Sequence, residues 1–131
     1  MRTAARILAV LLACGAARAG DDEAGKALYV KTCAACHQAD GKGVPDAYPA
    51  LAGNALVQGD PKAFAGVPLT GRGGMPNFSK RLDDAALAQI LNYVRHAWGN
   101  QGSAIGAADV AALRAALHAE PFDGTPEVNQ H

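Results

Sequence analysis

Cys33-Ala34-Ala35-Cys36-His37 sets two thiols three residues apart and an imidazole directly after the second. Each sulfur of such a pair can add across a vinyl group to form a thioether, and the adjacent histidine can reach an iron from the same side. The pattern therefore suits covalent attachment of haem. Five residues are a short signal. A redox-active Cys-x-x-Cys pair, half of a zinc site and a chance match use the same letters, so the rest of the chain has to discriminate.

At 131 residues the chain has room for one small domain once any leader is removed. Aromatic residues make up only 5%, while alanine and glycine are plentiful. A domain so poor in large side chains has difficulty filling a core unaided, and an enclosed haem would supply a large apolar body. Four histidines and two methionines limit the choice of iron ligands.

The first nineteen residues read as a secretory leader. Arg2 and Arg6 form a positive n-region, Ile7 to Ala13 an apolar stretch, and Ala17-Arg18-Ala19 a small-x-small site with cleavage expected before Gly20. The apolar run is too short to span a bilayer, so no transmembrane helix is expected in the mature chain. Leu11-Leu12-Ala13-Cys14 also resembles a bacterial lipobox, although leucine in its second position is atypical. Processing there would leave a lipid anchor on Cys14.

Removing the leader takes Arg2, Arg6 and Arg18 with it. That leaves nine Lys and Arg against twelve Asp and Glu, a net charge near −3. No basic stripe remains, and nucleic-acid binding is not expected. Cys14 is lost too, so Cys33 and Cys36 are the remaining thiols. They are too few for a four-thiolate zinc site, and no structural disulfide elsewhere can form.

Along the mature chain, Asp21 or Asp22 can cap a first helix running to about Thr32, with Gly25 and Tyr29 on one face at i, i+4 spacing. Glycine inside a helix costs roughly 1 kcal/mol against alanine, which points to a second helix crossing closely at Gly25. Gln38 to Asn54, broken by Gly41, Gly43, Pro45, Pro49 and Gly53, reads as a long irregular loop. Asp60-Pro61 opens a short helix, which Gly66 and Pro68 limit to about two turns. Thr70 to Pro76 is extended or turning. Asp83 caps the strongest helix, where Leu87, Ile90, Leu91, Val94 and Trp98 recur at helical spacing before a stop at Gly99-Asn100. An alanine-rich helix from Gly106 to about Ala119 has a thin apolar stripe (Val110, Leu113, Leu117) and is expected on the surface. Residues 120–131 read as a flexible tail.

With these landmarks in order, the sequence resembles a class I (mono-haem) cytochrome c of the small bacterial periplasmic type, over roughly Ala24 to Trp98. The match comprises the helix with Gly25 and Tyr29, then the Cys33–His37 motif and Pro49-Ala50-Leu51-Ala52-Gly53. Gly71-Arg72-Gly73-Gly74-Met75-Pro76 and Asn92-Tyr93-Val94-Arg95 complete it. The resemblance implies an all-α fold of three to five helices wrapped around one covalently bound haem c, with an additional C-terminal helix at about 106–119. The cytochrome domain then spans 20–119, with a matched core over 24–98. By the same resemblance Cys33 and Cys36 carry the thioethers and His37 Nε2 is one axial ligand. The Pro49 carbonyl accepts the hydrogen bond from His37 Nδ1–H, and Leu51 packs on the haem. Met75 is the second axial ligand. Elimination agrees in part, because Met1 leaves with the leader and Met75 lies in a loop and not on a helical core stripe. His96, His118 and His131 are the competing ligands.

His/Met ligation raises the reduction potential and leaves no open position on the iron. The implied function is one-electron transfer in the periplasm and not catalysis, either as a soluble carrier or as the cytochrome subunit of a dehydrogenase or oxidase system. Expected partners are a dehydrogenase, an oxidase or another cytochrome. The Trp98-Gly99-Asn100 extension resembles cytochrome subunits that accompany periplasmic dehydrogenases. Docking is expected near Ala34, Ala35, Met75 and Pro76, with positive potential from Lys31, Lys42, Arg72, Lys80 and Arg81. The alternatives are a haem enzyme or ligand sensor of peroxidase-like type, which needs a labile sixth ligand, and a thiol oxidoreductase using Cys33 and Cys36. In the relatives the segment before the methionine is a smoother helix, and Pro68 leaves its length here open.

Overall fold

The computed structural model describes residues 14–124, with side chains from Gly20 onward. The n-region and the whole apolar stretch of the expected leader, and residues 125–131 of the expected tail, lie outside the described residues. Six α-helical segments and one 3-10 turn account for the regular structure among the described residues. They form no strand, only the isolated bridges Val44–Tyr48 and Arg72–Met75. The all-α expectation holds.

The helix α5 (Asp84–His96) is the element against which three others pack. Asp83 caps it by accepting a 2.7 Å hydrogen bond from the Ala86 amide. Asp84 lies in its first turn and Arg95 and His96 in its last, matching the helix dipole at both ends. Its buried face carries Leu87, Ala88, Ile90, Leu91 and Val94, as the spacing predicts. The helix stops at His96, before Trp98. A 3-10 turn (Ala97–Gly99) follows, in which Trp98 adopts φ 54°. This left-handed kink turns the indole back to within 5.2 Å of the Tyr29 ring and 5.7 Å of the Tyr93 ring, centroid to centroid.

The first helix, α1 (Cys14–Thr32), crosses α5 at Gly25. A Cβ on Gly25 would collide with the Gln89 carbonyl oxygen and lie 2.9 Å from Tyr93 Cβ. Only glycine permits this approach, so the helix-propensity cost of Gly25 is offset by packing. Gly25→Leu should destabilise the protein by about 2–3 kcal/mol, because the obstructing atoms are backbone. The loss should read as a fall in Tm of roughly 10 °C or more. An unchanged Tm would rule out this crossing. One expectation is corrected here: α1 does not begin at a cap on Asp21 or Asp22. Alanine-rich residues from Cys14 onward are good helix formers and carry the helix through Gly20 without interruption.

A second correction concerns α4 (Pro61–Thr70). Asp60 caps it through the Lys62 amide at 2.9 Å, but Gly66 and Pro68 do not end it. Pro68 lies in the last turn, where it forfeits one helical hydrogen bond, and its ring is buried with Phe64, Ala65 and Leu69. Its carbonyl accepts from the Phe78 amide at 2.7 Å, and the helix closes one turn later with Gly71 N on Val67 O at 2.7 Å.

Two single-turn helices, α2 (Ala34–His37) and α3 (Ala55–Gln58), flank the loop 38–54, which is irregular as expected. Asn54 caps α3 through the Leu56 and Val57 amides, at 2.8 and 3.3 Å. The last helix, α6 (Ala107–Ala116), is shorter than expected and more firmly seated. Val110 is fully buried, and the Arg114 guanidinium reaches Ser79 O (2.6 Å), Leu82 O (2.8 Å), Glu120 O (2.9 Å) and the Asp84 carboxylate (2.8 Å). A polar anchor does what the thin leucine stripe does not. Beyond it, Glu120 pairs with Lys80 at 2.9 Å and the Asp123 amide donates to Lys80 O at 3.3 Å, so the start of the expected tail lies along residue 80.

Candidate functional site

Cys33 follows directly on α1, its amide donating to Tyr29 O at 2.8 Å, and its own carbonyl accepts the amides of Cys36 (3.2 Å) and His37 (3.0 Å). The five residues thus form a single turn continuing from α1. Cys33 is half-buried against the core and Cys36 is exposed. His37 closes α2 and is buried. Gln38 then takes φ 67°, which redirects the chain into the loop.

The His37 ring is held from that loop. Its Nδ1 lies 2.9 Å from the Pro49 carbonyl oxygen. A carbonyl can only accept, so Nδ1 carries the proton, and Nε2 is left with the lone pair that a metal needs. Gly43 makes this approach possible. Its φ is +63°, and a Cβ there would stand 2.7 Å from Pro49 O and collide with Tyr48 O. The loop is stapled further by Gly41 O, which accepts from Leu51 N (2.7 Å) and Ala52 N (2.9 Å). Leu51 is half-buried against the core, whereas Pro49 is exposed.

Tyr29 supports the motif from below. It is fully buried, and its hydroxyl donates to Gln38 O at 2.7 Å. Burial first, then the neighbouring Cys33, Tyr93 and Asp40, push its phenol pKa above the ordinary 10.0. A raised pKa means the folded state favours the neutral phenol. The stability Tyr29 supplies is therefore complete below about pH 10 and is lost as the pH climbs above it and the unfolded chain ionises. Melting curves between pH 8 and 12 should show a steeper alkaline decline in the wild type than in Tyr29→Phe. Parallel declines would exclude the effect.

Met75 comes from a separate segment. Arg72 and Met75 exchange backbone hydrogen bonds of 3.1 and 2.9 Å across a tight turn, in which Gly73 adopts φ 56°. Met75 is half-buried at the end of that turn, and Pro76 beyond it is exposed. The competing histidines are otherwise placed: His96 is exposed with Nε2 2.8 Å from Gly102 O, and His118 is exposed just past α6. His131 lies outside the described residues.

These residues fit a covalently held haem. Two thiols one helical turn apart stand beside an imidazole whose tautomer offers Nε2, and a thioether sits on a turn whose bend glycine permits and the Arg72–Met75 backbone bonds close. Among the described residues, no group of three or more His, Cys, Asp and Glu side chains converges as a metal site, and no helix is long and apolar enough to cross a membrane. Two open hollows mark the surface of the described residues, one of them on the loop that carries Pro49. One of about 460 Å³ is lined by residues 42 and 44–50, and one of about 320 Å³ lies between α4 and α6.

Three residues whose roles the sequence reading did not foresee hold the site's frame. Asn100 is buried and bonds to Leu51 O, Gly53 N and Val94 O. Arg95 is fully buried, its guanidinium on Val57 O (2.6 Å), Gly59 O (3.1 Å) and Ser103 O (2.7 Å). Burial draws its pKa below the usual value, with Asp60 opposing. Arg114 is the third. The available signal was register: Arg95 falls four residues after Leu91, and Arg114 four after Val110, each continuing a buried stripe.

Comparison with known proteins accords with this geometry. A family described as cytochrome C oxidase, cbb3-type, subunit III, matches residues 20–94. The cytochrome c subunit of the quinone alcohol dehydrogenase of Gluconobacter oxydans is 36% identical over 110 residues, covering 74% of this chain and 23% of the relative. The gluconate 2-dehydrogenase cytochrome c subunit of Pantoea cypripedii is 32% identical over 124 residues, covering 83% and 28%. The chain thus spans about a quarter of the length of these dehydrogenase subunits. Cytochrome c-552 of Thermus thermophilus is 33% identical over 130 residues, covering 83% of this chain and 85% of the relative. An all-helical domain with a Cys-x-x-Cys-His turn, matched across more than half its length, belongs to the cbb3-type subunit III family of mono-haem cytochrome c domains.

Proposed function

We propose that this protein is a periplasmic one-electron carrier whose single haem c is bound through Cys33 and Cys36 and ligated by His37 and Met75. The observation that carries the reading is the 2.9 Å contact between His37 Nδ1 and Pro49 O, which commits one ring nitrogen to the backbone and leaves the other for iron. When bound, the haem supplies reversible one-electron redox chemistry. The residues around it orient and tune. Cys33 and Cys36 would anchor the group to α2, the Pro49 carbonyl would make His37 a stronger donor, Leu51 would pack on it, and the Arg72–Met75 turn would offer the thioether. With His37 and Met75 both on the iron, no position would remain for a substrate, and the protein would carry electrons without catalysing a reaction of its own.

Export would place the site where c-type haem is attached, with the leader 1–19 removed and residues 20–119 as the working domain. The similarity to cytochrome c subunits of two dehydrogenases favours a dehydrogenase as electron donor, with an oxidase or another cytochrome as acceptor. Exposed Ala35 and Pro76 mark the docking face, and Lys31, Lys42 and Arg72, all exposed, border it in the proposal. Lys80 contributes less, because Glu120 neutralises it. Transfer rates to an acidic partner should fall as salt rises through the range where the Debye length shrinks to about 8 Å. Salt-independent rates would remove these lysines from the docking face.

The test is expression with c-type haem maturation. Haem should survive acid–acetone extraction in the wild type and be lost from Cys33→Ala/Cys36→Ala. The intact mass should equal residues 20–131 plus one haem, and a diacylglyceryl mass on Cys14 would replace leader cleavage with lipoprotein processing. Extractable haem would overturn the covalent reading.

A further inference from the structure

We infer that Asn100 is a positioning residue for the axial imidazole, acting through the loop that carries Pro49. The inference rests on His37 as iron ligand, as proposed above. Asn100 is 4% exposed and follows directly on the 3-10 turn at the end of α5. Its amide makes three hydrogen bonds, all to backbone: Nδ2 donates to Val94 O (2.8 Å) and Leu51 O (3.0 Å), and Oδ1 accepts from Gly53 N (2.8 Å). Nδ2 thus ties the last turn of α5 to the loop at Leu51, and Oδ1 holds the loop at a second point, Gly53. Carbonyls demand the NH2 group and the Gly53 amide demands the oxygen, so the side chain has one orientation.

What it grips is the strand of loop that begins with the His37 acceptor. Pro49 is exposed, so side-chain packing does not hold its carbonyl in place. Before it, Tyr48 is paired with Val44 through both backbone groups (2.9 and 2.8 Å); after it, Ala50 O accepts from Asn54 Nδ2 (2.9 Å), Leu51 has its amide on Gly41 O and its carbonyl on Asn100, and Gly53 N is on Asn100 as well. Gly41 in turn lies flat against the Trp98 indole, where a Cβ would meet Cε3 at 2.5 Å. The kinked segment Trp98–Asn100 therefore holds both ends of the loop's closing staple, 49 residues along the chain from Leu51. Without the Asn100 amide, Leu51 O and Gly53 N lose their partners, and the loop on the C-terminal side of Pro49 is left to the Gly41 and Asn54 contacts, so the Pro49 carbonyl is held less firmly against His37. A weaker Nδ1–H bond makes the imidazole a poorer donor, which disfavours ferric iron.

The experiment uses the holoprotein with Asn100→Ala, the near-isosteric Asn100→Asp, and Val110→Ala as a core truncation on α6 remote from the loop. Asn100→Asp keeps the acceptor for Gly53 N and loses both donated bonds. Both Asn100 variants should raise the ratio of reduced to oxidised protein at fixed ambient potential by about threefold, which is about 28 mV at 59 mV per tenfold. Exchange of the His37 Nδ1 proton with water, followed by NMR, should quicken about tenfold. Val110→Ala should lower Tm and move neither readout. If Asn100→Ala does not fold, Asn100→Asp decides. Unchanged ratio and exchange in a folded Asn100→Asp, or equal shifts in Val110→Ala, would overturn the inference while leaving His37 as ligand. A wild type whose His37 ring signals show no iron ligation would overturn both.

Discussion

Met75→Ala is expected to abolish the near-infrared methionine–iron charge-transfer band of the oxidised holoprotein and to open the iron to cyanide and imidazole. The reduction potential should fall by on the order of 0.2 V, within the span of about 0.8 V that axial ligation commands. The sign follows from the chemistry: a thioether is soft and favours ferrous iron, while water or hydroxide in its place favours ferric. The fold should survive, because the turn does not depend on the Met75 side chain. Its bonds are backbone to backbone between Arg72 and Met75, and its bend comes from Gly71 and Gly73 at φ 77° and 56°. Far-ultraviolet circular dichroism should therefore match the wild type. A variant that kept the band and still excluded cyanide would move the ligand elsewhere. His96 is the first alternative, and His96→Ala would then be decisive.

Arg95→Met should be the most destabilising single change on α5, costing about 3–5 kcal/mol. The side chain is fully buried and binds three main-chain carbonyls from two separate segments, Val57 and Gly59 at the end of α3 and Ser103 after the 3-10 turn. Methionine preserves most of the volume, so the loss comes from acceptors left buried without donors and not from a cavity. Chemical denaturation should show a lower midpoint with little change in slope, since the surface exposed on unfolding is nearly the same. Arg95→Lys should recover only part of the loss, because an ammonium cannot span carbonyls placed for a planar fork. A midpoint within error of the wild type would mean that water satisfies these carbonyls equally well. By contrast, exposed Lys80 and Glu120, though 2.9 Å apart, should be replaceable with little effect.

Much of this was legible from the chain alone. Although α5 ends at His96, short of the stop expected at Gly99-Asn100, its apolar spacing through Val94 and its Asp83 cap are local properties, set by periodicity and capping chemistry within a few residues of where they act. The attachment turn was legible for the same reason, since its two thiols and imidazole are contiguous. Gly25 signalled a crossing because glycine within a helix is costly unless another backbone needs the space. Elements whose ends depend on distant partners were less legible. Pro68 lies inside α4 because Phe78 and the core accommodate it, and α1 extends to Cys14 because nothing at Asp21 halts it.

What only the tertiary structure decided is how the site's frame is held. The sequence by itself determined the chemistry on offer, with two thiols, one imidazole followed by a proline twelve residues on, and one thioether after residue 19. It did not determine that Asn100 grips the loop at Leu51 and Gly53, that Trp98 kinks to cover Gly41, or that Arg95 and Arg114 are buried on backbone carbonyls. Those contacts join residues some 35 to 57 positions apart. Their hydrogen bonds go to main-chain atoms, which every residue type carries alike, so no letter of the sequence marks the partner. Burial turns those generic groups into specific ones, because only where water is excluded must each carbonyl find its donor. The five residues Cys33–His37 carry the haem-attachment motif, and buried contacts from the last third of the chain hold the loop that meets His37.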